Sequence, residues 1–288
     1  MYFNFSILLF FLVSCGPLFA AEDGLIFELS EIKNDLSQNE ESVQLAEILE
    51  KSLDTYESMN GYRAIFYKTE RSDAGLGEKE KIFLKFEKPW KIFMGWLNTE
   101  KKGLQVVYER GKNNGKLAIH KPGLLWGLAP VIFLDQNSPW IRQGSASYDI
   151  EDAGIGTFLY DFTKAVIRAA REKKLKIIFD RTPASATSEG KSVDVTFLES
   201  NENSGYFAYR VKVKFHKESH LPVAMELIDW QNRTIGIYEY EELSINVGED
   251  FEFMRQINRQ LLKIYESKPA APASKSPQTQ NFAKAQRS

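Results

Sequence analysis

Residues 78–97 read Glu-Lys-Glu-Lys-Ile-Phe-Leu-Lys-Phe-Glu-Lys-Pro-Trp-Lys-Ile-Phe-Met-Gly-Trp-Leu, and no other stretch restricts the fold as tightly. Ile82, Leu84 and Phe86 alternate with Phe83, Lys85 and Glu87; after Lys88-Pro89, Trp90, Ile92, Met94 and Trp96 alternate with Lys91, Phe93, Gly95 and Leu97. Side chains of a strand point to opposite faces at every second residue, so the segment predicts two strands sharing one apolar face. Pro89 has no N–H to give to a ladder and fixes the break between them as a turn or edge. No residue type that does chemistry lies on the shared face. A wide aromatic surface of this kind is suited to holding an apolar group, or to forming an ordinary β-rich core.

The same alternation recurs on both sides of the ribbon. Strands are expected near 62–71, 79–87, 90–97, 103–109 and 115–120, with turn chemistry in Asp73-Ala-Gly-Leu-Gly77 and Lys112-Asn-Asn-Gly115. A second series is expected near 174–180, 191–199, 205–216, 221–229 and 233–243; Phe207, Tyr209, Val211, Val213 and Phe215 against Arg210, Lys212, Lys214 and His216 give the cleanest alternation. Helical spacing marks Ser37 to about Met59, where Ser37-Gln-Asn-Glu40 has capping-box form, and Asp152 to Lys173, where Ile155, Phe158, Leu159, Phe162, Val166 and Ile167 form one stripe. Phe251 to Tyr265 reads as a terminal helix, and 121–150 as a long apolar loop. Strands in quick succession with only a few helices define an antiparallel meander and an α+β class: a single curved antiparallel sheet of nine or ten strands, a half-open β-barrel, with helices packed on it as a lid.

The ends differ from this middle. Ile7–Val13 is an apolar run too short for the roughly 20 residues that cross a bilayer, and no charged residue precedes Glu22; residues 1–21 therefore read as an export signal. Leu12-Val13-Ser14-Cys15 offers a second ending, a lipobox in which Cys15 is lipidated, and only that ending anchors the chain to a membrane. The remainder divides into a domain over 22–265 and a tail over 266–288, rich in Pro, Ala, Ser, Lys and Gln, which is expected to be disordered.

Composition removes several function classes. Lys and Arg total 37 against 39 Asp and Glu, a formal charge of −2, so nothing draws the chain to nucleic acid. One cysteine excludes an intramolecular disulfide framework. No Gly-x-Ser-x-Gly elbow, phosphate loop, His-Glu-x-x-His or zinc ribbon occurs, and no cofactor is expected. His216-Lys-Glu-Ser-His220 has metal-ligand residue types, but it sits where a hairpin turns, and a plain turn is the expectation. Asp149, Glu151 and Asp152 precede a helix, where acids favour the N-terminal dipole, so they are not read as a catalytic pair.

The ribbon also resembles a known family. Lys79–Trp96, with its Phe-x-Lys-Pro-Trp-Lys turn, is similar to the strand pair of the LolA-like superfamily of periplasmic lipoprotein carriers and receptors. Tyr62-Arg-Ala-Ile-Phe-Tyr-Lys-Thr-Glu-Arg71 resembles the preceding strand, Gly111–His120 the next hairpin, and Leu221-Pro222 to Asn246 followed by Asp250-Phe251-Glu-Phe253 the closing pattern. The resemblance covers roughly 40–255 and points to a bacterial branch of the superfamily. It implies a non-enzymatic binding protein of the Gram-negative envelope, periplasmic or anchored at the outer membrane, that holds lipid or lipoprotein acyl chains. The alternative it leaves is an envelope-stress sensor or assembly factor that binds a protein partner. Under the first reading Ile82, Leu84, Phe86, Trp90, Ile92, Met94 and Trp96 form the wall. Phe158, Leu159 and Phe162 form the lid side, and Leu124, Leu125 and Trp126 the rim. Arg71 is the nearest match to the carriers' arginine.

Overall fold

A computed structural model of the chain describes residues 25–31, 33, 40–123, 131–136, 138, 150, 154–180, 190–199, 201–248 and 250–267. The export signal with Cys15, the rim residues Leu124, Leu125 and Trp126, the acids Asp149, Glu151 and Asp152, and the tail from 268 lie outside the described residues.

Among the described residues, twelve strands form one antiparallel sheet. In chain order they are β1 (Gly61–Ser72), β2 (Gly75–Leu76), β3 (Glu80–Glu87), β4 (Lys91–Trp96), β5 (Gln105–Glu109), β6 (Leu117–His120), β7 (Ile132–Leu134), β8 (Leu175–Phe179), β9 (Gly190–Phe197), β10 (Arg210–His216), β11 (Pro222–Ile228) and β12 (Thr234–Ile245). The sheet order is β7-β6-β5-β4-β3-β1-β12-β11-β10-β9-β8, with β2 paired to β1; β7 and β8 are its edges, so the sheet is open. The helices are α1 (25–31), α2 (Glu40–Ser58), α3 (Ile155–Arg171), α4 (Phe251–Gln256) and α5 (Arg259–Glu266). The α+β class with a single antiparallel sheet is thus the one read from the sequence. Several details differ. β7 lies in the stretch expected to be a loop, β2 extends the β1 hairpin, and the terminal helix is broken in two where Ile257 turns extended at φ −74°, ψ 137°. Phe207 and Tyr209, counted in the cleanest alternation, precede β10 rather than lie in it.

The chain divides into two compact units. The first contains residues up to Asn60, Phe66–Lys79 and Glu151–Leu243; the second contains Gly61–Ile65, Glu80–Ile150 and Ser244 onward.

In the first unit, period-2 patterning sends Val193, Val195 and Phe197 of β9 and Val211, Val213 and Phe215 of β10 to one buried face. Val211 stands opposite Val195 and Leu227, and Val213 opposite Val193 and Met225. The other face carries cross-strand charge pairs: Arg210 diagonally with Asp194, and Lys212 with the directly opposed Glu226 at 2.8 Å. Opposite charges placed across strands support the ladder and keep that face wet. Leu45, Leu49 and Leu53 of α2, and Ile155, Leu159 and Phe162 of α3, are wholly inaccessible, as expected of apolar stripes at helical spacing. Gly156 lets α2 and α3 approach: a Cβ there would stand 2.1 Å from the Tyr56 ring.

The second unit is built on β3–β7. Ile82 faces Trp96, Leu84 faces Met94 and Phe86 faces Ile92 across the β3–β4 hairpin, which turns at Lys88–Trp90 with a cis Lys88–Pro89 peptide. Both of its faces are apolar. On one, Phe83, Phe93, Val107 and Ala118 form a core with Phe253, Ile257, Leu261 and Tyr265 of the C-terminal helices. The other is the predicted wall.

Candidate apolar wall on strands β3 to β6

Cross-strand register assembles the wall from every second residue. Ile92 stands opposite Tyr108, Met94 opposite Val106, and Val106 in turn opposite Ile119, so the face expected on two strands continues over four. Tyr62 joins it from β1, its ring 5.4 Å from that of Phe86. Ile82, Leu84 and Ile92 are fully buried, and Phe86, Trp90 and Met94 are 2%, 5% and 7% exposed. Trp96 is half-buried. The seven residues therefore share one face of the second unit, and six of them meet almost no water.

Polar groups mark the ends of this face. At one end the Trp96 indole N–H donates to Glu80 Oε2 at 2.8 Å, and Lys101 Nζ lies 2.5 Å from Glu80 Oε1. Glu80 is 7% exposed, and pairing with a cation is what makes such burial tolerable. Sequence reasoning missed Glu80, although the Glu80-x-Ile82 spacing puts its carboxylate in register with the apolar row. At the other end Trp90 packs edge-on to Phe86 with centroids 5.1 Å apart, and the guanidinium of exposed Arg110 sits 5.1 Å from the Trp90 ring.

On the opposite face, charged side chains accompany the apolar core shared with the C-terminal helices. Lys85, 8% exposed, places Nζ 4.5 Å from the Phe253 ring, and Lys91 Nζ lies 3.6 Å from the Tyr265 ring. Both lysines pair with Glu87, at 3.2 and 3.3 Å. Partial burial works against ionisation of Glu87, yet Lys91 and Lys85 together hold its carboxyl below the ordinary carboxylate range. Gln105 clamps the break between α4 and α5: its Nε2 donates to the Gln256 carbonyl at 2.6 Å, and its Oε1 accepts from the Asn258 N–H at 2.7 Å. His120 Nε2 is 3.4 Å from Asn258 Nδ2. The chain thus supplies its own cover for one face of β3–β6.

The residues expected on the lid side belong to the first unit. Leu159 and Phe162 are fully buried in α3. Phe158 is half-buried, stacked on Phe162 at 5.4 Å and edge-on to Phe207 at 6.4 Å. Arg71 donates from Nε to the Thr234 carbonyl at 2.6 Å, which ties β1 to β12. His216 ends β10, and its Nδ1 accepts N–H groups of Glu218 and Ser219 in the following turn at 3.3 and 3.2 Å. Among the described residues no group of three or more His, Cys, Asp or Glu could hold a metal ion, and no helix is long and apolar enough to cross a membrane.

A family model described as "Protein of unknown function (DUF1571)" matches residues 59–260. The chain belongs to this family. The match begins just before β1, ends in α5 and includes the whole wall. No curated protein matches the sequence. Similar solved structures include a conserved protein from Thermus thermophilus (9% identity, covering 75% of this chain and 95% of that one, TM-score 0.39). A LolA superfamily protein from Nitrosomonas europaea is 8% identical, with 72% and 96% covered and a TM-score of 0.33. The Pseudomonas aeruginosa MucA/MucB complex is 10% identical, with 72% and 59% covered and a TM-score of 0.38.

Proposed function

We propose that this DUF1571 protein is an exported, non-enzymatic binding protein of the cell envelope that holds an acyl chain or similar amphiphile against the wall on β3–β6. One observation carries the reading. The two apolar faces of these strands are used differently: the face bearing Phe83 and Phe93 is sealed by the chain's own α4 and α5, with Lys85, Glu87, Lys91 and Gln105 at the seam. The wall bearing Ile82, Leu84, Phe86, Ile92 and Met94 carries charge, among the described residues, at its ends, at Glu80 and Arg110. A surface with polar ends and an apolar middle matches an amphiphile. Each buried methylene contributes about 0.8 kcal/mol, so a dozen of them supply on the order of 10 kcal/mol before ordering costs. Because the wall side chains are nearly inaccessible, a ligand reaches them by displacing what packs there, and uptake is slow and temperature-dependent.

Native mass spectrometry of protein purified from its own envelope tests this, together with uptake of a fluorescent fatty acid. Lipid adducts and saturable uptake, lost in Leu84→Asp protein that still folds, are expected. A clean protein mass without uptake defeats the proposal and favours the alternative, a protein-binding envelope factor. The intact mass of the mature protein decides whether Cys15 is lipidated and the chain is membrane-anchored.

A further inference from the structure

The two tryptophans on β4's wall side are satisfied differently. Trp90 and Trp96 flank the strand on the same face, six residues and therefore about 20 Å apart, the reach of a long acyl chain. The Trp96 N–H is taken by Glu80. The Trp90 Nε1 is buried and has no hydrogen-bond partner, although the residue is only 5% exposed. Indole N–H is purely a donor, and burying it unpaired costs free energy that a phenylalanine with the same ring contacts would not incur. The Trp90 ring packs edge-on to buried Phe86 and has the guanidinium of exposed Arg110 5.1 Å from its centroid, so the residue that carries this N–H stands where the apolar wall meets a cation. An acyl group has its one acceptor at such a junction: the carbonyl or carboxylate oxygen that ends the hydrocarbon.

Building on the function proposed above, we propose that the Trp90 indole N–H donates to the acyl oxygen of the bound amphiphile. Trp90 thereby selects acyl ligands over plain hydrocarbons and fixes the head at the Arg110 end of the wall. Both a free fatty acid and an acyl ester, as in a phospholipid or lipoprotein, provide that oxygen.

The test compares full-length wild type, Trp90→Phe and Trp96→Phe in displacement of Nile red by palmitate, by dipalmitoyl-phosphatidylglycerol and by hexadecane. Trp90→Phe should weaken an acyl ligand threefold to tenfold relative to hexadecane, the size of one net hydrogen bond. Trp96→Phe should leave the preference for acyl ligand over hexadecane as in wild type. Loss confined to palmitate identifies a fatty acid, and loss confined to the ester identifies an acylated lipid; either supports the inference. Equal affinities of Trp90→Phe and wild type for all three overturn it while the acyl-binding reading stands. A wild type that binds none overturns both. Should Trp90→Phe not fold, the Trp90 indole resonance of wild type decides. A downfield shift with palmitate or the ester, and none with hexadecane, is expected; no shift with either acyl ligand overturns the inference.

Discussion

Replacing Phe93 by alanine should loosen the C-terminal helices without altering the wall. Phe93 is fully buried on the sealed face, edge-on to Phe83 at 6.2 Å and to Phe253 at 5.1 Å. Phe→Ala in a packed core costs about 3–5 kcal/mol, part of it the roughly 0.5–1.5 kcal/mol of each aromatic pair. A typical domain is stable by about 5–15 kcal/mol, so the variant should remain folded. Urea unfolding followed by tryptophan fluorescence should show a lower midpoint at unchanged slope. Hydrogen exchange should quicken first at the amides of α4 and α5, whose anchoring ring is gone, while β9 and β10 in the other unit keep their protection. A loss below about 1 kcal/mol, or exchange that quickens everywhere except residues 251–266, would refute the packing argument.

The pairing of Glu87 with Lys91 and Lys85 depresses its folded-state pKa below the ordinary 4.5, so its stabilisation is present above that value and lost as pH falls through the folded value. Glu87→Gln should therefore be less stable than wild type at pH 7, by a gap that narrows as pH falls below 4.5; a constant gap across the range contradicts the linkage. Gly156→Ala, which improves helix propensity, should nonetheless cost about 1–3 kcal/mol through overpacking against buried Tyr56 and so lower the melting temperature; a rise in melting temperature counts against the α2–α3 packing. Gly190 sits at φ +140° with its Cβ position 1.8 Å from the Phe215 carbonyl oxygen, so Gly190→Ala should break the β9–β10 end and reduce soluble yield, whereas normal yield and stability would contradict that register.

Much of this architecture is written in local pattern. Strict alternation in 82–96 and 211–215 sets which side chains share a face, and the register read across Ile82–Trp96 and Phe86–Ile92 follows from it. β7 was hidden because its three residues lie among Gly and Pro and are too few to show a period. The break at Ile257 was hidden because apolar spacing runs on through it; the clamp by Gln105, 151 residues away from Gln256, is a long-range contact that no local signal announces. Alternation also could not rank the two faces of β3–β4. Alternation puts Phe83 and Phe93 on the face opposite the wall, and no local signal shows that α4 and α5 cover them. Glu80 and Arg110, which bound the wall, were legible only once the row of Ile82, Leu84 and Phe86 was extended in both directions and across to β5.

The central claim is that the wall on β3–β6 holds an amphiphile. Native mass spectrometry of the wild-type protein and folded Leu84→Asp, each purified from the native envelope without detergent exchange, tests it most directly. An adduct of acyl-lipid mass on wild type, absent from Leu84→Asp, is predicted. A bare wild-type mass, or an adduct retained unchanged by Leu84→Asp, would contradict it.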